Sequence, residues 1–175
     1  DGPLLNAISS ASIAKLREFA PRDLAFTVWS SAKLRYDDQP LLDAIASQAL
    51  ATMSAYNPQD LANTVWAFSR LSVENKPLLH AIASESIRKL RYYQTGELSM
   101  TAWSFATLGV IHLPLLEALS SAAIARITEF SAQDMSNLSW AYATLKLMDD
   151  ELFDAIASEA RRRLPVYIAK ELAVT

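Results

Sequence analysis

Trp29, Trp66, Trp103 and Trp140 stand 37 residues apart, and Pro3, Pro40, Pro77 and Pro114 keep the same interval, each followed by a Leu-Leu pair. A fixed period of this length marks a stack of like units, none of which can bury its apolar face alone. The chain divides into units 3–39, 40–76, 77–113 and 114–150, with a partial fifth over 151–175. Such an array presents a surface, which argues against an enzyme built around one central core.

The second unit, PLLDAIASQALATMSAYNPQDLANTVWAFSRLSVENK, shows what each unit contains. In its first half Leu42, Ile45, Ala46, Ala49, Met53 and Tyr56 form one stripe at helical spacing, with Asp43, Ser47, Ala51 and Ser54 opposite. Pro40 suits a first turn, where a missing N–H costs nothing. The second half opens with Asn57 as a cap, Pro58 inside it and Asp60 three residues on. Ser131 and Asp134 repeat that logic, and in the third unit Thr95 is expected to shift the cap by one residue. The recurring acid (Asp23, Asp60, Glu97, Asp134, Glu171) faces the positive end of each helix dipole, so it reads as structural, not catalytic. Leu61, Ala62, Val65, Trp66, Phe68 and Ser69 make the buried side of this second helix. Trp66 lies at its flank, packed within the stack and not itself a platform for bases. Leu34, Leu71, Leu108 and Leu145 close the helices. Two helices and two short turns fill the period, giving an all-α, αα-hairpin solenoid.

Composition agrees: 51% of the chain is hydrophobic and only three residues are glycine, which favours helix. A net charge of −3 argues against a general polyanion binder. No cysteine is present, which excludes disulfides and cysteine zinc sites, and no apolar run approaches the ~20 residues that span a bilayer. The chain begins Asp1-Gly2-Pro3 at a unit boundary, and both end units lack capping sequences, so a longer parent protein is expected. His80 and His112 read as solvated, Asp149-Asp150-Glu151 as an acidic turn, and Ser9-Ser10 and Ser120-Ser121 as serines without a base. No catalysis, cofactor or metal is expected.

Positions that are exposed, aligned and different between units are where recognition is written. The far side of the second helix offers such a stripe: Arg22, Phe26 and Lys33; Gln59, Asn63 and Arg70; Gly96, Met100 and Thr107; Gln133, Asn137 and Thr144. Asn and Gln pair with base edges, Phe and Arg stack, and Arg and Lys hold phosphates. The plain alternative is an ordinary solvated face. A second basic cluster (Lys15, Arg17, Arg88, Lys89, Arg91, Arg126, Arg161, Arg162 and Arg163) lies late in the first helices. It reads either as a ridge tracking phosphates or as cations favoured at helix C-termini.

The string NPQDLANTVWAFSRL at 57–71 resembles the second-helix signature of octotricopeptide and heptatricopeptide repeat proteins. SAQDMSNLSWAYATL at 131–145 and APRDLAFTVWSSAKL are looser copies, and PLLDAIASQAL resembles the family's first helix. The resemblance spans all the units. It implies a right-handed paired-helix solenoid that reads single-stranded RNA at about one base per repeat, in chloroplast or mitochondrial gene expression. The rival expectation is a protein-interaction scaffold or structural subunit of an organellar assembly. Neither involves membrane insertion or a small-molecule substrate.

Overall fold

In the computed structural model the backbone is described over residues 2–172 and the side chains over residues 2–164. The described residues form nine α-helices and no strand: α1 (Gly2–Lys15), α2 (Pro21–Leu34), α3 (Gln39–Thr52), α4 (Pro58–Arg70), α5 (Lys76–Lys89), α6 (Thr95–Thr107), α7 (Leu113–Ala125), α8 (Ala132–Thr144) and α9 (Asp150–Leu172). A three-residue 3-10 turn follows each of α1, α3, α5 and α7. Helices α2, α4, α6 and α8 start 37 residues apart, as do α3, α5, α7 and α9. Glu171 lies outside the residues whose side chains are described.

Odd and even helices form separate rows, each helix packing on the one two places along the chain. One continuous core runs between the rows and holds the expected Leu42, Ile45, Ala46, Ala49, Met53, Tyr56, Leu61, Val65 and Phe68. The even helices pack closely on one another, with Ala25, Ala62, Ala102 and Ala141 buried among their residues. The odd helices touch more sparsely.

Local signals set the ends. The first helix of each unit begins one residue before its proline, because the preceding residue is the cap. Asp38, Asn75, His112 and Asp149 accept from the N–H of Leu41, Leu78, Leu115 and Leu152 at 3.1, 3.0, 3.2 and 3.0 Å. His112 is therefore a capping residue through Nδ1 and not simply solvated, and the exposed His80 ring lies 5.4 Å from it. On the even helices the acid row does what the dipole argument requires. Asp23, Asp60, Glu97 and Asp134 accept from the cap N–H of Ala20, Asn57, Gln94 and Ser131. In the third unit Gln94 is the cap and Thr95 is already helical, so the expected one-residue shift does not occur: Glu97 fixes the register from inside the helix. Burial pushes the Asp60 and Glu97 carboxyls above the ordinary carboxylate range.

Every even helix also ends alike. Arg35, Ser72, Gly109 and Lys146 sit at φ of 53, 58, 68 and 56°, and the next N–H returns to the carbonyls of Ser31, Phe68, Phe105 and Tyr142. This left-handed cap suits glycine; the side chains of the other three each cost about 1–2 kcal/mol. Of the helix-closing leucines, Leu145 is buried, Leu71 and Leu108 are half-buried, and Leu34 is exposed on the first unit.

Candidate nucleic-acid interface

On each even helix the exposed stripe runs at spacings of four, three and four, and this includes the tryptophan. Unit one presents Arg22, Phe26, Trp29 and Lys33; unit two Gln59, Asn63, Trp66 and Arg70; unit three Gly96, Met100, Trp103 and Thr107; unit four Gln133, Asn137, Trp140 and Thr144. Asn63, Met100 and Asn137 are half-buried, and the remaining stripe residues apart from the tryptophans are exposed. Gln133 donates to the Asn137 side-chain oxygen at 2.9 Å, which uses part of the pairing capacity of both amides.

The tryptophans pack within the stack as expected, yet they do not disappear into it. Trp29 and Trp66 have ring centroids 6.2 Å apart, and Trp103 and Trp140 5.9 Å apart, both pairs tilted. The first three are half-buried and Trp140 is 45% exposed. They form an aromatic row along the middle of the stripe. Phe26 meets the edge of Trp29 at 6.3 Å and carries the Arg22 guanidinium at 5.4 Å. The Lys33 ammonium lies 5.1 Å from the Trp29 ring centre and 5.5 Å from that of Trp66. No Asp or Glu stands on the stripe, and among the described residues Arg22, Lys33, Arg35 and Arg70 make no ion pair. Arg35 was missed in the sequence because it follows the helix; its position 37 residues before Ser72 was the available signal.

The basic cluster of the odd row divides. Lys89 donates to the carbonyls of Ser54 and Tyr56 at 2.7 and 2.5 Å, and its ammonium lies 2.9 Å from Glu85. Arg126 donates to the Tyr93 carbonyl at 2.7 Å and to Glu129. Arg163 donates to Phe130 and Thr128 at 2.6 and 2.8 Å and to Glu159. These three stand 37 residues apart and tie the third, fourth and fifth units each to the turn of the unit before it. The sequence reading expects phosphate ligands at these positions; the structure gives their donors backbone carbonyls to meet, which is a structural role. Arg88 and Arg162 pair with the same acids, Glu85 and Glu159. Hydrogen bonds from Arg162 and then Arg163 pull the Glu159 carboxyl down to about 2. Lys15, Arg17, Arg91 and Arg161 remain exposed without an ion pair among the described residues, on the odd row and away from the tryptophans.

Two hollows flank the stripe. One of about 320 Å³ lies between units, lined by Ala32, Lys33, Arg35, Trp66, Arg70 and Trp103. The other, of about 620 Å³, is mostly apolar and opens beside α1 and α2, with Leu5, Ile8, Phe19, Phe26 and Leu34 in its wall. Phe26 thus borders both the aromatic row and an apolar hollow. Among the described residues no cluster of His, Asp and Glu is arranged to hold a metal ion, and no helix is long and apolar enough to cross a membrane.

Against known proteins, residues 5–174 match the sequence model of a family described as RNA-editing substrate-binding complex 6 protein. No curated protein matches. The matching family bears a different name from the octotricopeptide and heptatricopeptide group. The two readings share an all-helical protein associated with RNA.

Proposed function

We propose a function from a firm premise: the chain belongs to the RNA-editing substrate-binding complex 6 protein family. It acts as a non-enzymatic component of an RNA-editing complex, a right-handed αα-hairpin solenoid that holds single-stranded RNA along its even-helix face. The observation that carries this reading is the acid-free row of tryptophans bordered by Arg22, Lys33, Arg35 and Arg70. Aromatic faces that stack bases, set beside cations that track a backbone, are what sequence-tolerant single-strand binding requires. The net charge of −3 is compatible, because the acids lie off this stripe, at helix starts, in the turns between units and along the odd helices. Asn63, Asn137 and Gln133 supply modest base preference; Met100, Thr107 and Thr144 add neutral contact. We infer an organellar, mitochondrial setting, where RNA-editing complexes typically act; nothing supports the chloroplast.

Salt dependence tests the reading. Four phosphate contacts on a single strand give a slope of roughly −3 in log affinity against log salt. Recruiting Lys15, Arg17, Arg91 and Arg161 as well steepens it to roughly −6. A slope near −3 that is abolished by Lys33→Glu with Arg70→Glu supports binding on the even face. Absence of binding to a pool of short RNAs at low salt sinks it. The second reading, a protein-docking scaffold, is favoured by one observation, the apolar hollow beside α1 and α2. It predicts salt-indifferent protein binding lost with Phe26→Asp.

A further inference from the structure

The tryptophan row has one break. Trp29 pairs with Trp66 and Trp103 with Trp140, but Trp66 and Trp103 make no such ring contact. At that break lies the hollow of about 320 Å³. Its six lining residues comprise two tryptophans, three cations and Ala32, with no acid among them. Lys33 and Arg35 come from unit one and Arg70 from unit two, so the charges converge only because the units stack. Like charges gathered without a counter-ion repel one another, and an anion at their centre relieves that repulsion.

We propose that this break is a binding site for one nucleotide of a single strand, its base against Trp66 and Trp103 and its phosphate on Lys33, Arg35 and Arg70. The volume lies at the small end of ligand clefts, about 300–1,000 Å³, which suits one base with its phosphate. Lys33 is already positioned, its ammonium held over the Trp29 and Trp66 rings. Arg35 is placed by the left-handed cap at φ 53°, a position better suited to glycine, and its guanidinium makes no hydrogen bond among the described residues. The other inter-unit tryptophan junctions are closed by ring packing, so the array has one such slot among its described units. The site rests on the RNA reading given above and deepens it by naming where a base enters.

The probes are fluorescein-labelled octauridylate and an oligomer of the same phosphate number made wholly of abasic sugars. Three proteins are compared by anisotropy titration: the unaltered chain, Trp103→Leu and Arg35→Gly. The abasic oligomer should bind the unaltered chain roughly 5- to 100-fold more weakly, the loss that one or more base stacks represent. Trp103→Leu should lose affinity for octauridylate and leave the abasic oligomer unchanged. Arg35→Gly removes the cation while relieving the left-handed backbone, so its thermal midpoint holds or rises while its salt slope falls by about one. That variant keeps the test decisive if Trp103→Leu fails to fold. Octauridylate bound equally by all three proteins overturns the slot and leaves the RNA reading standing. No binding of octauridylate to the unaltered chain overturns both.

Discussion

Arg126→Met separates the two roles open to the odd-row cations. The Arg126 guanidinium donates to the Tyr93 carbonyl at 2.7 Å, across the junction between the third and fourth units. A charge-assisted bond of this kind contributes about 1.5–3 kcal/mol when shielded. The Arg126 side chain is 30% exposed, so water replaces part of it and about 1–2 kcal/mol is the reasonable loss. The contact with Glu129, whose side chain is 55% exposed, is left out of that figure because solvent and salt screen it. Methionine retains the apolar stem, so packing changes little. At roughly 2–4 °C per kcal/mol for a chain of this size, the thermal midpoint should fall by about 2–8 °C. Circular dichroism measures the midpoint, and amide exchange should quicken in the turn Leu90–Tyr93 and at the start of α6. Octauridylate affinity and its salt slope should not move. An unchanged midpoint together with a salt slope reduced by about one would show that Arg126 is a phosphate ligand after all, and would refute the structural assignment.

Three further outcomes follow from comparing equivalent positions. Tyr56→Phe should raise stability by about 1 kcal/mol, since its buried hydroxyl has no hydrogen-bond partner among the described residues; Tyr93→Phe should lower it by about 1–2 kcal/mol, since that hydroxyl bonds Ser86 at 2.6 Å. Two denaturation curves shifted the same way would contradict this. Thr52 occupies the position held by Lys89, Arg126 and Arg163, so Gln48→Glu with Thr52→Arg should tie unit two to the turn at Phe19 and raise the midpoint by a few degrees; a fall in midpoint counts against it. Glu159 has its carboxyl held below the unfolded value of 4.5, at about 2, so its contribution is complete above 4.5 and is lost as pH falls through about 2. The difference in midpoint between the unaltered chain and Glu159→Gln should therefore shrink across that interval, whereas Asp60 and Glu97, shifted upward, change stability in the opposite sense and cancel in the comparison.

The helices were legible in the sequence because each unit meets the same packing requirements, and repetition averages out the local exceptions. Thr95 shows the limit: it is a good cap by type, but Glu97 reaches the Gln94 N–H and sets the start one residue earlier. Trp66 shows another. It stands three residues after Asn63 and four before Arg70, which places it on the exposed stripe, while its size argues for burial. The structure satisfies both demands by packing one ring on Trp29 and leaving part of it open. The inter-unit ties were harder to read. Lys89, Arg126 and Arg163 reach carbonyls in the unit before them, contacts to which helical periodicity is blind. The trace they leave is recurrence at the unit spacing, accompanied in two cases by an acid four residues earlier, Glu85 and Glu159.

Recurrence itself then sorts the cations. A cation repeated at one position in three successive units, and bonded each time to a turn carbonyl of the unit before, as Lys89, Arg126 and Arg163 are, meets a need those junctions share. Lys33 and Arg70 are followed at the same position by Thr107 and Thr144, and Arg35 by Ser72, Gly109 and Lys146. Stacking does not require Lys33 and Arg70, because units three and four pack with threonine in their place. The cations of the stripe stand in units one and two, beside tryptophans that recur in all four units, and this polarises the face. Phosphate attraction is strongest at one end, and the Trp103–Trp140 pair with Asn137 and Gln133 offers neutral stacking and pairing at the other. On the proposed RNA reading, a single strand lying along this face would be gripped by its backbone first and compared by its bases further on. That reading predicts that charge reversal at Lys33 and Arg70 costs more overall affinity than Asn137→Ala, which instead narrows the difference between RNA sequences; the opposite ordering in anisotropy titrations would count against it.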